Sequence, residues 1–298
     1  MKVYRSNKAK ENILRTYDKL LGLWGVPVAE REVPTHYGPT HVIHWGEEQS
    51  PPLALFHGVG DDSALMWLYN AKALGEHFSV YAIDTIGGPG KSVPNENYNR
   101  EFDDVRWLTE VFDGLELSRF YAAGVSNGAY LTQLCARSLP GRVLKAVSLA
   151  GAVPAGSSGS PMKTMTKIFL PEALFPTKKN VEKLLKKLAG ENAGVFTQNP
   201  VVMEHYTWLL KGFNNMAMAF HKIERFTDEE IASIRDKVLY LIGEEDPFAK
   251  LGGKAALLQY HMNVRFYEKT GHGINHERAE EINAVLTDYF LKETVESI

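Results

Sequence analysis

A single cysteine, Cys135, stands in 298 residues. No intramolecular disulfide can form, and cysteine-rich metal sites are excluded with it. Its neighbours Leu131, Leu134 and Ala136 read as a helix face around a buried thiol. No run of eighteen apolar residues occurs, so nothing reads as a membrane-spanning helix. Charge of one sign is also missing: 33 Lys and Arg against 36 Asp and Glu leave a net charge of −3, with both signs interspersed. Without a basic stripe to neutralise phosphates, nucleic acid is not expected as a partner. The histidines include no H-E-x-x-H, and His41 and His44 lie three apart on a strand-like stretch, which aims them at opposite faces. Metal catalysis is therefore not expected, and no cofactor is implied. Met1 to Tyr17 mixes charges throughout and lacks the apolar stretch of a secretory signal, so the expected location is the cytoplasm.

What is present is alternation. A helix is expected from about Asn7 to Leu23, with Ile13, Tyr17, Leu20 and Leu21 at helical spacing. Short strands follow at Ala29 to Val33 and Thr40 to Trp45. Apolar runs then recur at Leu53 to Phe56, Ser79 to Ile83, Phe120 to Ala123, Leu144 to Leu149, Val238 to Ile242 and Val264 to Tyr267. Runs of this kind suit strands covered on both faces. Helical stretches separate most of them, including Glu101 to Leu115, Tyr130 to Ser138 and Glu277 to Leu291. The expected fold is α/β: a doubly wound, mostly parallel sheet of about eight strands.

The alternation stops between residues 154 and 226. That stretch opens on a Gly- and Ser-rich linker, residues 156–160, where a hinge is expected. Helical segments follow at Lys179 to Leu188 and Val201 to His221. The domain reading is a core of residues 1–153 and 227–298 with a helical cap, 154–226, inserted between two strands. Met162, Met165, Phe169, Phe213, Met216 and Met218 are expected to form the cap's own core and in part to roof the crevice.

In a doubly wound sheet the ligand crevice lies at the carboxyl ends of the strands, so the residues there carry the chemistry. After Phe120 to Ala123 comes Gly124-Val125-Ser126-Asn127-Gly128, a G-x-S-x-G between a strand and a helix. The pentapeptide alone is a weak signal; its strand–turn–helix setting is the one a nucleophilic serine needs. A serine hydroxyl also needs a base, and the base an orienting acid. Asp246 follows the strand Val238 to Ile242, and His272 follows Val264 to Tyr267 between two glycines. The order Ser126, Asp246, His272 is the one this fold uses. Glu244 and Glu245 are alternative acids. The backbone amides of Val59, in Phe56-His57-Gly58-Val59-Gly60, and of Asn127 are candidates for an oxyanion hole. His57 fits loop architecture better than a proton acceptor. Thr85 to Ser92 resembles a phosphate loop but has threonine where the first glycine is required, and Pro94 blocks the helix; nucleotide binding is rejected.

These motifs identify the chain as similar to the capped α/β-hydrolase superfamily over nearly its whole length. Within it the chain resembles the Bacillus-type carboxylesterase NP, or naproxen esterase, group. The resemblance rests on Phe56-His57-Gly58-Val59-Gly60, Asp84 with its glycine-rich turn, Gly124 to Gly128, Gly243 to Asp246 and Gly271-His272-Gly273. One departure is Ser92, which comes one residue late in the turn after Asp84. The resemblance implies a serine carboxylesterase with a small-molecule ester substrate, small to medium in its acyl or aryl part. Monoacylglycerol-type lipase, thioesterase and carbon–carbon bond hydrolase share the triad and stay open. So does a ligand sensor with little turnover. Oligomeric state is not encoded in any motif.

Overall fold

Eight strands form one sheet: β1 (Ala29–Val33), β2 (Thr40–Trp45), β3 (Pro52–Phe56), β4 (Ser79–Ile83), β5 (Phe120–Val125), β6 (Val143–Leu149), β7 (Val238–Gly243) and β8 (Asn263–Tyr267). The computed structural model describes residues 2–155, 174–248 and 253–292, with Ile168 and Glu172. The strand order is β1-β2-β4-β3-β5-β6-β7-β8. β1 and β2, and β2 and β4, pair antiparallel; every pair from β4 to β8 is parallel.

The apolar runs become strands because both of their faces are covered. β4 and β7 are buried at every residue, whereas the edge strand β1 (Ala-Glu-Arg-Glu-Val) buries only Val33. Charged edge residues of this kind discourage pairing with another chain. Period-two alternation divides the core into two layers. Leu53 and Leu55 face one layer with Ile13, Leu20, Ile282 and Phe290; Ala54 and Phe56 face the other with Trp107, Val111, Leu131 and Leu134.

Strand limits fall within two residues of the sequence reading, while helix limits are set by caps. The first helix, Asn7–Leu21, starts where the Ser6 hydroxyl accepts the Ala9 amide. The helix expected from Glu101 starts at Asp104, because Asp103 accepts the Val105 and Arg106 amides. The helix expected from Tyr130 starts earlier, at Asn127, directly after Ser126.

Between β6 and β7 the described residues form helices Lys178–Ala189, Gly194–Thr197, Pro200–Gly212 and Asp228–Ile234. The helix expected over Val201 to His221 is shorter than its apolar pattern. Phe213 turns extended, and the Asn214 side chain caps a short 3-10 helix, Asn215–Met218. Phe213 and Met218 are buried and Met216 is exposed. The proposed linker at 156–160, with Met162, Met165 and Phe169, lies outside the described residues. Among the described residues no helix is long and apolar enough to cross a membrane.

The strand order places the site. From β3 the chain adds β4 on one side and then returns to add β5 on the other. Loops leaving the carboxyl ends of β3 and β5 therefore diverge, which is where a doubly wound sheet is expected to place its ligand crevice.

Candidate active site

Ser126 joins β5 to its helix with φ 58° and ψ −114°, a conformation that costs a side-chain-bearing residue on the order of 1–3 kcal/mol. The surroundings impose it. The Ser126 amide donates to the Leu149 carbonyl on β6 at 3.0 Å, while its carbonyl accepts from the Ala129 amide at 3.0 Å. A Cβ on Gly124 would overlap the Gly128 carbonyl, and one on Gly128 would overlap the Phe56 carbonyl, so both flanking glycines are required by close approach. Ser126 occupies the N-cap position of helix Asn127–Ser138, yet its hydroxyl caps nothing.

The loop after β3 lies against this serine. A Cβ on Gly58 would sit 3.4 Å from the Ser126 Cβ. The Val59 and Asn127 amides, the two candidate oxyanion donors, have no acceptor among the described residues. The Asn127 side chain adds a buried Nδ2 without a partner among them, a donor that the backbone-only reading of this residue did not include. His57 is fully buried, and its Nε2 accepts the Thr85 amide at 2.9 Å. Its Nδ1 must then carry the proton donated to the Gly58 carbonyl at 2.8 Å. Both ring nitrogens are committed, so His57 has no site left to accept a proton.

On the loop after β8, His272 Nδ1 donates to Asp246 Oδ2, on the loop after β7, at 2.8 Å. Asp246 is buried, and its Oδ1 accepts the Phe248 amide at 2.8 Å, so both carboxylate oxygens are engaged. With Nδ1 bound in this way, Nε2 is the ring nitrogen free to take a proton. Burial opposes charge on the His272 ring. The Asp246 carboxylate and its hydrogen bond, with Glu277, outweigh burial and raise the imidazole pKa. The alternative acids point elsewhere: Glu244 pairs with Lys254 at 2.9 Å, and Glu245 lies against Gly190.

Met66 links the two halves. Its Cε lies 3.7 Å from a Cβ position on Gly58, and its carbonyl accepts from Asn275 Nδ2 at 2.7 Å. The loop after β3 and the short helix that follows His272 thus both meet Met66.

Three contacts near the site go beyond what the motifs showed. Asp84, read only as the start of a tight turn, is a buried hub: its Oδ2 accepts from the Tyr17 hydroxyl at 2.9 Å, His41 at 3.0 Å and the Lys91 amide at 2.8 Å. Burial opposes its charge, but His41, the nearby His57 and the Lys91 amide hold its carboxyl well below the usual range. The late Ser92 still closes the turn, donating to the Asp84 carbonyl at 2.6 Å. Third, the helices between β6 and β7 reach the base itself, since the His272 amide donates to the Leu188 carbonyl at 2.7 Å. Composition carries no trace of that bond, because a backbone carbonyl has no residue signature. Cys135 is buried in helix Asn127–Ser138, and burial pushes its thiol pKa up.

A serine strained at the junction of β5 and its helix, with a histidine–carboxylate pair on the loops after β7 and β8, suits a hydrolase of the α/β class. The family model for the alpha/beta hydrolase fold matches residues 51–279, and the chain belongs to that family. Among its relatives is the protein described as uncharacterized carboxylesterase nap of Bacillus subtilis (strain 168), 29% identical over 94% of this chain and 92% of that one. Carboxylesterase YbfK of the same organism is 27% identical over 90% of each chain. The crystal structure of naproxen esterase (carboxylesterase NP) from Bacillus subtilis superposes with a TM-score of 0.81, at 26% identity, covering 96% of this chain and 99% of that one.

Proposed function

We propose that the chain is a serine carboxylesterase that hydrolyses small to medium acyl or aryl esters through an acyl-enzyme. The observation that carries this reading is the 2.8 Å His272–Asp246 hydrogen bond, in a chain whose strained Ser126 has a hydroxyl uncommitted as a cap. The names of the related Bacillus proteins support the ester as substrate.

In this reading Ser126 Oγ attacks the ester carbonyl carbon while His272 Nε2 takes its proton. Asp246 stabilises the imidazolium that results. The Val59 and Asn127 amides donate to the tetrahedral oxyanion, supported by the positive end of helix Asn127–Ser138. The C–O bond to the leaving alcohol breaks as His272 returns the proton to that oxygen. A water then attacks the acyl-enzyme by the same route and releases the acid. Residues 154–226 act as the cap that shapes the acyl pocket.

The test is hydrolysis of p-nitrophenyl esters from acetate to decanoate by the native protein and by Ser126→Ala. A rate maximum at short or medium chains that disappears with the substitution is expected. Turnover that survives Ser126→Ala would overturn the reading.

A further inference from the structure

The turn that carries His272 is gripped from two directions. On the core side, Glu277 Oε2 accepts the Gly271 amide at 2.8 Å, while the Glu277 amide donates to the Gly273 carbonyl at 2.8 Å. On the side of the inserted helices, Leu188 takes the His272 amide at 2.7 Å. Asn192 Nδ2 bridges the two grips, donating to the Lys269 carbonyl at 2.6 Å and to Glu277 Oε2 at 3.1 Å. A Cβ on Gly271 would overlap the Leu188 carbonyl, so the glycine is fixed by the passage of the inserted helix.

Scaffolding alone does not account for a carboxylate here. One oxygen of Glu277 makes both hydrogen bonds, and a neutral glutamine could make them equally well. The other oxygen, Oε1, is buried against the Gly273 backbone, 3.5 Å from a Cβ position on that residue, in the turn that carries the base. Burial opposes charge on this carboxyl and pushes its pKa up, so an acid rather than an amide at this position calls for a reason. The nearest group that gains a positive charge is His272. The other charged groups around the turn are placed differently: Asp246 holds Nδ1, Glu245 lies against Gly190, and Arg278 is bound to Thr270 and the Glu268 carbonyl. His276 is turned to the Leu65 carbonyl.

Taking the serine-esterase reading as its basis, we infer that Glu277 is a positioning residue for His272. Its carboxylate fixes the turn and faces the imidazolium, and Asn192 ties that arrangement to the inserted helices. Seating of those helices and alignment of the base are then one event. Attack by Ser126 is fastest when both grips are made, because small misplacements of a base cost rate steeply.

The experiment measures the rate at which a fluorophosphonate labels Ser126 across pH, alongside p-nitrophenyl ester kinetics. The proteins are native, Glu277→Gln, Asn192→Ala and Ser126→Ala, each checked for a native melting transition. Glu277→Gln keeps both hydrogen bonds and removes the charge. Its acid limb is expected to move toward lower pH by roughly 0.3 to 1 unit, a shift that a purely structural role does not produce. Asn192→Ala, a change on a half-buried residue that leaves Glu277 in place, is expected to lower kcat and labelling about 10-fold with little change in KM. Native limbs in Glu277→Gln and a native kcat in Asn192→Ala, with Ser126→Ala inactive, would overturn this inference and leave the esterase reading intact. Labelling and turnover that persist in Ser126→Ala would instead remove the esterase reading beneath it.

Discussion

His205 Nε2 meets Asp62 Oδ2 at 2.8 Å in a site closed to solvent on both sides. The other ring nitrogen of His205 reaches Thr16 Oγ1 at 2.7 Å. The grouping of a hydroxyl, a histidine and a carboxylate looks like a second triad. It is not one, because the Thr16 hydroxyl donates to its own helix at the Asn12 and Ile13 carbonyls, and no crevice reaches it. Asp62 instead caps the short helix Ser63–Met66 that follows the loop after β3. His205 sits on helix Pro200–Gly212, so the pair fastens that helix, from the segment between β6 and β7, to the loop after β3.

Breaking this pair should therefore cost stability before it costs chemistry. His205→Ala leaves a buried carboxylate uncompensated, a change of about 3 to 5 kcal/mol. A fall in Tm of roughly 5 to 15 °C is expected by calorimetry. A melting temperature within a degree of native would show that the pair carries no such load.

The strain at Ser126 predicts a separation of activity from stability. Ser126→Ala and Ser126→Gly should both lose kcat on the order of 10⁶-fold. Only glycine relieves the left-handed backbone, so Ser126→Gly should be more stable than Ser126→Ala by about 1 kcal/mol in denaturant unfolding. Equal midpoints for the two variants would mean the turn stores no strain.

The raised pKa of His272 fixes the direction of the pH dependence. The neutral imidazole is the active form, so kcat/KM should fall as pH drops through a value above the ordinary imidazole value of about 6.5. His276, pushed down to about 4 by burial, stays neutral across that range and does not contribute. The stability linkage runs the other way. A base with a raised folded-state pKa contributes stability that is fully present below about 6.5 and lost as pH rises through the raised value. Asp246→Asn should move the acid limb of activity downward and lower its plateau. A flat rate from pH 8 to pH 5 would exclude His272 as the base.

His57 supplies the control. Its ring is consumed by Thr85 and Gly58, so His57→Asn should weaken catalysis by loosening the oxyanion loop. The acid limb should nevertheless stay where the native enzyme has it. A limb that moves with His57 would return that residue to the list of bases.

How much of this was legible depended on what carries the information. Strands such as Ser79–Ile83 announce themselves because burial on both faces demands an unbroken apolar run. Asp246 and His272 were readable because their chemistry has few substitutes and each follows a strand end. The helix from Val201 was over-read because apolar spacing continues through Phe213, whereas the backbone turns extended at Phe213 and Asn214 caps a separate 3-10 helix. The Asp84 hub and the Asp62–His205 pair join residues 43 to 143 positions apart, and no local pattern encodes such contacts. The Leu188–His272 bond is hidden more deeply, since any residue at 188 offers the same carbonyl.

That last bond sets a limit on modularity. The segment between β6 and β7 looks exchangeable in sequence, a replaceable part that selects substrate while the core does chemistry. Yet a chimera that imports another protein's segment also imports a new carbonyl at 188 and a new side chain at 192. It must then reproduce the end of helix Lys178–Ala189 against Gly271, or receive a core whose base is no longer held. Grafts that join after Asn192 would keep the native contacts to His272, and specificity could be exchanged there without disturbing the proton transfer.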